Sequence, residues 1–392
     1  MNAVSAKMGG ASTYLRGLVR ECARLTEHEF IWYVPPGAGE VFRNCPAHFS
    51  IVTTSAGSLR TLRRLYWDQV TFRKIVRETS PDLVFSTGNF AVLSCPARQV
   101  LLVTQSVPFC AVWLKEVFPR KPLLSRLETR LRRWLICLSA KRADVVMTPT
   151  RAMLEDLGRF VALDARRTLV NPFGVEPPSS CLAPAPCQET LIGADPSGAV
   201  RLSYVSLYAE HKNLNTLLKA MPVLNRSPAR RFFLKTTANP GWEGAKWACT
   251  HEEDLALAAK PGVAQWVQFV GPFGGRRTRA IYRGSDIFVF PSIAESFGLP
   301  LAEAMSFGLP VVAADTPVNR EICCEAAVYF RPMDADDLAE AVRRVSEDAS
   351  LRERLGCEGR RIARERFRWD EHVRRILAVA ESASGGERCC AA

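Results

Sequence analysis

At 392 residues, with 47% hydrophobic and 23% charged side chains, the chain exceeds one ordinary core and suits two α/β domains of somewhat under ~200 residues each. The composition is globular, and no run of about 18 apolar residues exists to span a bilayer as a helix. The formal net charge of +12 sits in the first half, where residues 1–178 hold 25 Lys and Arg against 14 Asp and Glu, so anionic partners of several kinds are open: nucleic acid, acidic phospholipid or a diphosphate-bearing substrate.

The opening residues Met1 to Lys7 lack a basic stretch followed by an apolar one, which predicts a cytoplasmic protein without a secretory leader. Only a few strand-forming residues precede the turn at Lys7, Met8, Gly9 and Gly10, where a strand ordinarily needs five or six. The expectation is that the natural start lies upstream of Met1. Apolar, β-rich runs follow at Phe30 to Val34, Leu83 to Ser86, Val100 to Thr104 and Val145 to Thr148, separated by segments of helical spacing. Such alternation predicts parallel sheet with crossover helices.

Between the third and fourth of these runs, Arg120 to Arg142 carries Leu123, Leu124, Leu127, Leu131, Trp134, Leu135 and Leu138 on one helical face, with Arg126, Arg130, Arg132, Arg133, Lys141 and Arg142 around it. Two readings stand: a crossover helix burying its leucines on the sheet, or a basic amphipathic helix lying on an anionic membrane. The run from Cys181 to Cys187, closing near Asp195 to Gly198, is rich in Pro and Ala and lacks period, which marks a linker at residues 179–199. A second strand series begins at Arg201 to Val205 and continues at Phe232 to Lys235, Val267 to Val270, Ile287 to Phe290, Val311 to Ala313 and Val328 to Phe330. The predicted organisation is therefore a first domain at 1–178, a second at 200–365 and a terminal helix with tail at 366–392. The 13 cysteines include no pair at the spacing of a zinc ribbon or redox motif, so they read as reduced, mostly buried small hydrophobes. Cys389 and Cys390 formally open a prenylation box, for which a frayed tail is the plainer account.

Chemistry concentrates after the run Ile287 to Phe290. Glu295 and Glu303 flank a helix start, with Pro300 in the first turn, and Gly308 with Pro310 stopping the helix. Amides of Ser296, Phe297, Gly298 and Leu299 then point beyond the helix N-terminus, a place for a diphosphate. A capped helix with two solvated glutamates would give the same string. Its company decides between the two: Gln265 to Phe273 before it, Ile281 to Ser292 leading into it, and Gly308 to Asp315 after it.

Together these segments resemble the donor-binding half of the family-four retaining glycosyltransferases, and the resemblance covers nearly the whole chain. It implies the GT-B fold, two Rossmann-like parallel-sheet domains facing each other across a cleft that closes on a nucleotide-diphosphate sugar. It implies Glu295 at the transferred sugar and Glu303 at the ribose. The stretch Ser203 to Asn215 also matches, which makes Lys212 the cation at the donor diphosphate and not merely a surface lysine opening a helix. Many relatives place an arginine about five residues earlier. Here Leu207 stands there, and His211 is the nearest substitute.

In the first domain, Gly9 and Gly10 resemble the glycine-rich turn that approaches the donor phosphates and the acceptor, and Gln105 stands where many relatives carry a histidine facing the sugar. An amide can hydrogen-bond a hydroxyl but cannot titrate, which leaves the family's same-face mechanism available. The resemblance further implies no bound metal, an acceptor that is a glycan or lipid-linked glycan, and a final segment from Arg366 returning to the first domain. A non-catalytic anion- or nucleic-acid-binding protein using the basic first half is the competing class, although no nucleic-acid module or interleaved aromatic and basic stripe occurs.

Overall fold

The computed structural model describes residues 1–6, 9–59, 61–176, 178, 198–242, 245, 248–271 and 276–384. Lys7, Met8, nearly all of the linker, and Cys389 with Cys390 lie outside these residues. The chain divides into two units, one of Met1–Phe109, Leu124–Gly174 and Arg368–Ala392, the other of Cys110–Leu123 and Val175–Phe367. Among the described residues no helix is long and apolar enough to cross a membrane.

In the first unit the strands are β1 (Phe30–Val34), β2 (Phe49–Thr53), β3 (Leu83–Ser86), β4 (Arg98–Leu102), β5 (Val145–Thr148) and β6 (Thr168–Val170). β1 pairs with β2, and β3, β4, β5 and β6 pair in that order, all parallel. Asn2 joins the two groups through parallel bridges to Tyr33 and Ser86. Its N–H donates to Phe85 O at 2.8 Å, and the Ala3 N–H donates to Tyr33 O at 2.9 Å. The short run at the chain's start thus supplies a single bridging residue at the centre of the sheet. β2 escapes the apolar pattern because every residue after Phe49 is exposed.

The helix Leu123–Arg142 is part of the crossover between the parallel strands β4 and β5, and its second half packs in their core, but the expected burial of its leucines holds only there. Its buried residues are Leu135, Ile136, Ser139 and Ala140, whereas Leu123, Leu124, Leu127, Leu131 and Trp134 are all exposed. The spacing was amphipathic as expected, but most of the leucines face water and not the sheet.

The terminal helix Trp369–Ser384 packs in the first unit against the helix Gly10–Cys22. The Trp369 ring sits so close to Gly17 that an added Cβ would lie 2.2 Å from it, so only glycine fits there. His372 is buried between two partners, with Nδ1 at 2.8 Å from Pro172 O and Nε2 at 2.9 Å from the Tyr14 hydroxyl. A carbonyl only accepts, so Nδ1 carries the proton and Nε2 accepts from Tyr14.

The second unit holds β7 (Val200–Tyr204), β8 (Phe232–Thr236), β9 (Val267–Phe269), β10 (Ile287–Phe290), β11 (Val311–Ala314) and β12 (Ala327–Phe330). They form one parallel sheet in the order β12-β11-β10-β7-β8-β9. β10 and β11 are buried at every residue, as strands covered on both faces must be, and this explains their unbroken apolar runs. The order reverses between β7 and β10. In an open parallel sheet the carboxyl ends of strands at such a reversal leave a crevice that ligands occupy.

Burial holds His372 down at about 4, against about 6.5 in an unfolded chain. A folded-state value below the unfolded one means that the unfolded chain binds more protons between pH 6.5 and 4. The contribution is complete above about pH 6.5 and is lost as pH falls to about 4, worth roughly 3 kcal/mol across that window. Thermal unfolding followed by circular dichroism from pH 7 to pH 4 should show this loss. H372Q, which cannot titrate, should start less stable and fall less steeply.

Candidate functional site

β7 and β10 end side by side, and the residues that follow them build the site. After β7 the chain makes a short 3-10 turn, Glu210–Lys212, and Asn213 enters the helix Leu214–Leu224 in the left-handed region at φ 54°. After β10 it runs through Pro291 to Glu295 and reaches the helix Leu299–Ser306. These two loops are stitched together. Ile293 N–H and the Ser292 hydroxyl donate to His211 O at 2.9 and 3.2 Å, and Asn213 Nδ2 donates to Pro291 O at 3.0 Å. The Tyr204 hydroxyl donates to Lys212 O at 2.7 Å. Burial keeps that phenol protonated by raising it well above its ordinary range.

The result is a direct ion pair. Lys212 Nζ lies 2.6 Å from Glu295 Oε1, with the two side chains 20% and 10% exposed. Both groups have lost most of their water yet remain open at one side. An ammonium has three donors, so Lys212 can hold Glu295 and still reach an incoming anion.

Gly298 precedes the helix Leu299–Ser306 with φ 83°, a conformation that side chains rarely tolerate. Leu301 and Ala302 N–H groups turn back to Gly298 O at 2.9 and 3.3 Å. Pro300 has no N–H to offer, and the Leu299 N–H has no acceptor within its own helix. The Phe297 and Leu299 side chains are buried, Phe297 against Phe367 with ring centroids 5.2 Å apart. Any contact they make with a ligand is therefore through the main chain. Glu303 lies one turn into the helix, and its Oε2 accepts from the Tyr282 hydroxyl at 2.8 Å. That phenol is also raised well above its ordinary range, by burial and then by the Glu303 charge, so it remains a donor that orients the carboxylate.

His211 requires a correction. Burial, and then the neighbouring Lys212 ammonium, hold it well below its ordinary range. Both effects disfavour the charged imidazole that would stand in for the cation Leu207 omits.

Gly9, Gly10 and Gln105 belong to the first unit. Gly9 caps the helix Gly10–Cys22 at φ 60° and ψ −139°, and its carbonyl accepts from Ser12 and Thr13 N–H, each at 3.1 Å. Asn89 Oδ1 accepts from Thr104 and Gln105 N–H at 2.6 and 2.8 Å, which fixes the main chain below Gln105. Lys7, also in that turn, lies outside the described residues.

Sequence reasoning missed a support under the lysine loop. The segment Cys110–Leu123 belongs to the second unit, so the first unit is not the continuous stretch 1–178 that was expected. Lys121 Nζ lies 2.8 Å from Glu210 Oε2, with both side chains largely buried, and the same oxygen accepts from Cys249 N–H at 3.0 Å. The Cys110 thiol donates to Ile293 O at 3.2 Å. Lys121 stands 89 residues before Glu210, and no local spacing announces such a pair. Among the described residues no cluster of three or more His, Cys, Asp or Glu is placed to hold a metal.

Two units, each built on parallel sheet with crossover helices, with a cation and carboxylates at the strand-order reversal of the second, are the architecture of the glycosyltransferase fold class GT-B. Similar solved structures include sucrose-phosphate synthase from Thermosynechococcus elongatus, at TM-score 0.74 and 18% identity over 97% of this chain and 94% of that one. Another is Anabaena Alr3699/HepE in complex with UDP-glucose, at TM-score 0.69 and 16% identity over 97% and 98%. Residues 195–362 match the family model described as glycosyl transferases group 1, and residues 9–174 match the glycosyl transferase 4-like domain. The chain belongs to the group 1 glycosyltransferases of the family-four type. Curated relatives include the O-antigen chain mannosyltransferase B of Escherichia coli, 28% identical over 43% of this chain and 42% of that protein. The D-inositol 3-phosphate glycosyltransferase of Actinosynnema mirum is 30% identical over 60% and 57%. The matches thus span about half the length of these curated relatives.

Removing one partner from a buried ion pair leaves the other charge stranded. E210A should therefore destabilise the second unit by about 3 kcal/mol, with most of the loss recovered in K121M/E210L, where both charges leave together. Urea unfolding of the single and double variants measures this. Equal losses in both would mean that the pair contributes packing alone.

Proposed function

We propose that the chain transfers a hexose-type sugar from a nucleotide-diphosphate sugar to a glycan or lipid-linked glycan, with retention at the anomeric carbon and without a bound metal. The observation that carries this reading is the Lys212–Glu295 pair at 2.6 Å, set at the sheet's reversal and just ahead of a helix N-terminus. The diphosphate lies at the N-terminal end of the helix Leu299–Ser306, where the aligned peptide dipoles favour negative charge. Lys212 binds the leaving phosphate. Glu295 orients the sugar, and Glu303, steadied by Tyr282, accepts from the ribose hydroxyls. The main chain at Ser296 to Leu299 completes the donor contacts of the second unit; of the first unit, Gly10 is assigned to the donor, and Gly9 and Gln105 to the sugar or the acceptor. Similarity to a protein described in complex with UDP-glucose supports a nucleotide sugar as the donor class.

In the reaction the bond from the sugar's anomeric carbon to the phosphate oxygen breaks, and the acceptor oxygen bonds to the same face of that carbon. The acceptor proton passes to the departing phosphate oxygen. Negative charge grows on the diphosphate as its bond lengthens, so Lys212 interacts more strongly with the transition state than with the bound donor and lowers the barrier.

The test is nucleotide release from a panel of GDP-, UDP- and ADP-sugars with glycan acceptors. K212A should lower kcat by roughly 100-fold to 1000-fold. E303A should raise the donor KM about tenfold with a smaller change in kcat, as loss of a contact made equally in ground and transition states does. Chelator should leave turnover unchanged. A K212A enzyme as fast as the wild type, or an inverted product, would overturn the reading.

A further inference from the structure

The helix Leu123–Arg142 presents a face that the fold does not use. Its first twelve residues, 123–134, include no buried one, and burial begins only at Leu135. At 1.5 Å per residue that is a projecting length of about 18 Å. Within it Leu124, Leu127, Leu131 and Trp134 are 78%, 50%, 46% and 60% exposed. Their spacing of three, four and three residues places them in one stripe about 80° wide, at ~100° per residue. Scattered exposed apolar residues need no explanation, but a contiguous stripe of four large ones marks a contact surface.

Charge narrows the partner. The helix carries six basic residues, Arg126, Arg130, Arg132, Arg133, Lys141 and Arg142, and one acid, Glu128. That acid is paired with Arg132 at 3.3 Å. Arg133 is turned inward, with its guanidinium 4.4 Å from the Phe160 ring centroid and Nη1 at 3.4 Å from Pro108 O. It therefore anchors the helix and leaves the stripe to project. A second copy of the chain meeting this face about a two-fold axis would bring the same basic flanks together, whereas an anionic bilayer complements them.

We infer that the stripe Leu124, Leu127, Leu131 and Trp134, with its basic flanks, is a docking face for an anionic phospholipid surface. The helix lies in the interfacial plane, the four apolar side chains enter the headgroup boundary, and the cations other than Arg132 and Arg133 meet the lipid phosphates. This rests on the helix alone and not on the proposed transfer reaction, and its readout is vesicle binding, so either can fail without the other.

Flotation of the full-length protein with phosphatidylcholine vesicles, and with vesicles of phosphatidylcholine and phosphatidylglycerol in equal parts, tests it. Binding should be at least about tenfold stronger to the anionic vesicles and weaken in about 0.5 M salt. The triple variant L124S/L131S/W134S should bind about tenfold more weakly, with an unchanged thermal unfolding midpoint because the replaced side chains are exposed. Brominated lipid should quench tryptophan fluorescence in the wild type, and this component should be lost in W134L. Equal binding to neutral and anionic vesicles, undiminished binding by the triple variant, or a concentration-dependent dimer that the variant dissolves would overturn the inference.

Discussion

Two opposite charges 2.6 Å apart with little water around them are expensive to assemble. Each loses hydration on burial, and their attraction offsets that loss only when geometry is held closely. Much of the second unit can be understood as the means of holding Lys212 and Glu295. Their loops leave adjacent parallel strands, β7 and β10; hydrogen bonds from Ile293, Ser292 and Asn213 tie one loop to the other, and one from Tyr204 ties the lysine loop to the end of its own strand. The strands beneath are apolar throughout β10, so the sheet contributes a dry, stiff floor while the polar groups gather at its end.

The electrostatics around this pair are unsymmetrical. Lys212 and Glu295 together carry no net charge, and His211, although next in sequence to the lysine, is disfavoured as a cation by burial. Attraction for an anion therefore falls to the remaining ammonium donors and to the positive end of the helix Leu299–Ser306. Both are held in place, the lysine by a carboxylate and the helix by its own fold. Fixed dipoles of this kind stabilise a growing negative charge without the reorganisation that water would require.

What could be read in the sequence follows the range of the interactions involved. Buried strands of the second unit stand out because their neighbours on both faces demand apolar side chains at every position, and the residues from Glu295 to Glu303 stand out because a helix start favours Gly298 and Pro300 locally. β2 did not, since an exposed strand carries no such demand, and Asn2 is joined to Tyr33 and Ser86 by single bridges. The helix Leu123–Arg142 was legible as amphipathic but not in its direction, because spacing gives the width of an apolar face and not what the face meets. Lys121 with Glu210 was illegible altogether. A lysine in a basic stretch looks like any other until folding places a carboxylate beside it.

That last pair also constrains how the units can be understood. Both neighbours of the segment Cys110–Leu123, Phe109 and Leu124, belong to the first unit, yet the segment itself belongs to the second. A piece consisting of residues 175–367 alone would keep Glu210 and its Cys249 contact while lacking Lys121. Its largely buried carboxylate would then face a single N–H in place of an ammonium. Because Glu210 opens the same short turn that ends in Lys212, displacement of the one would be carried along the backbone to the other. The placement of the Lys212 turn therefore depends on a residue encoded in the first half of the chain, and the two halves of the sequence are not the two halves of the structure.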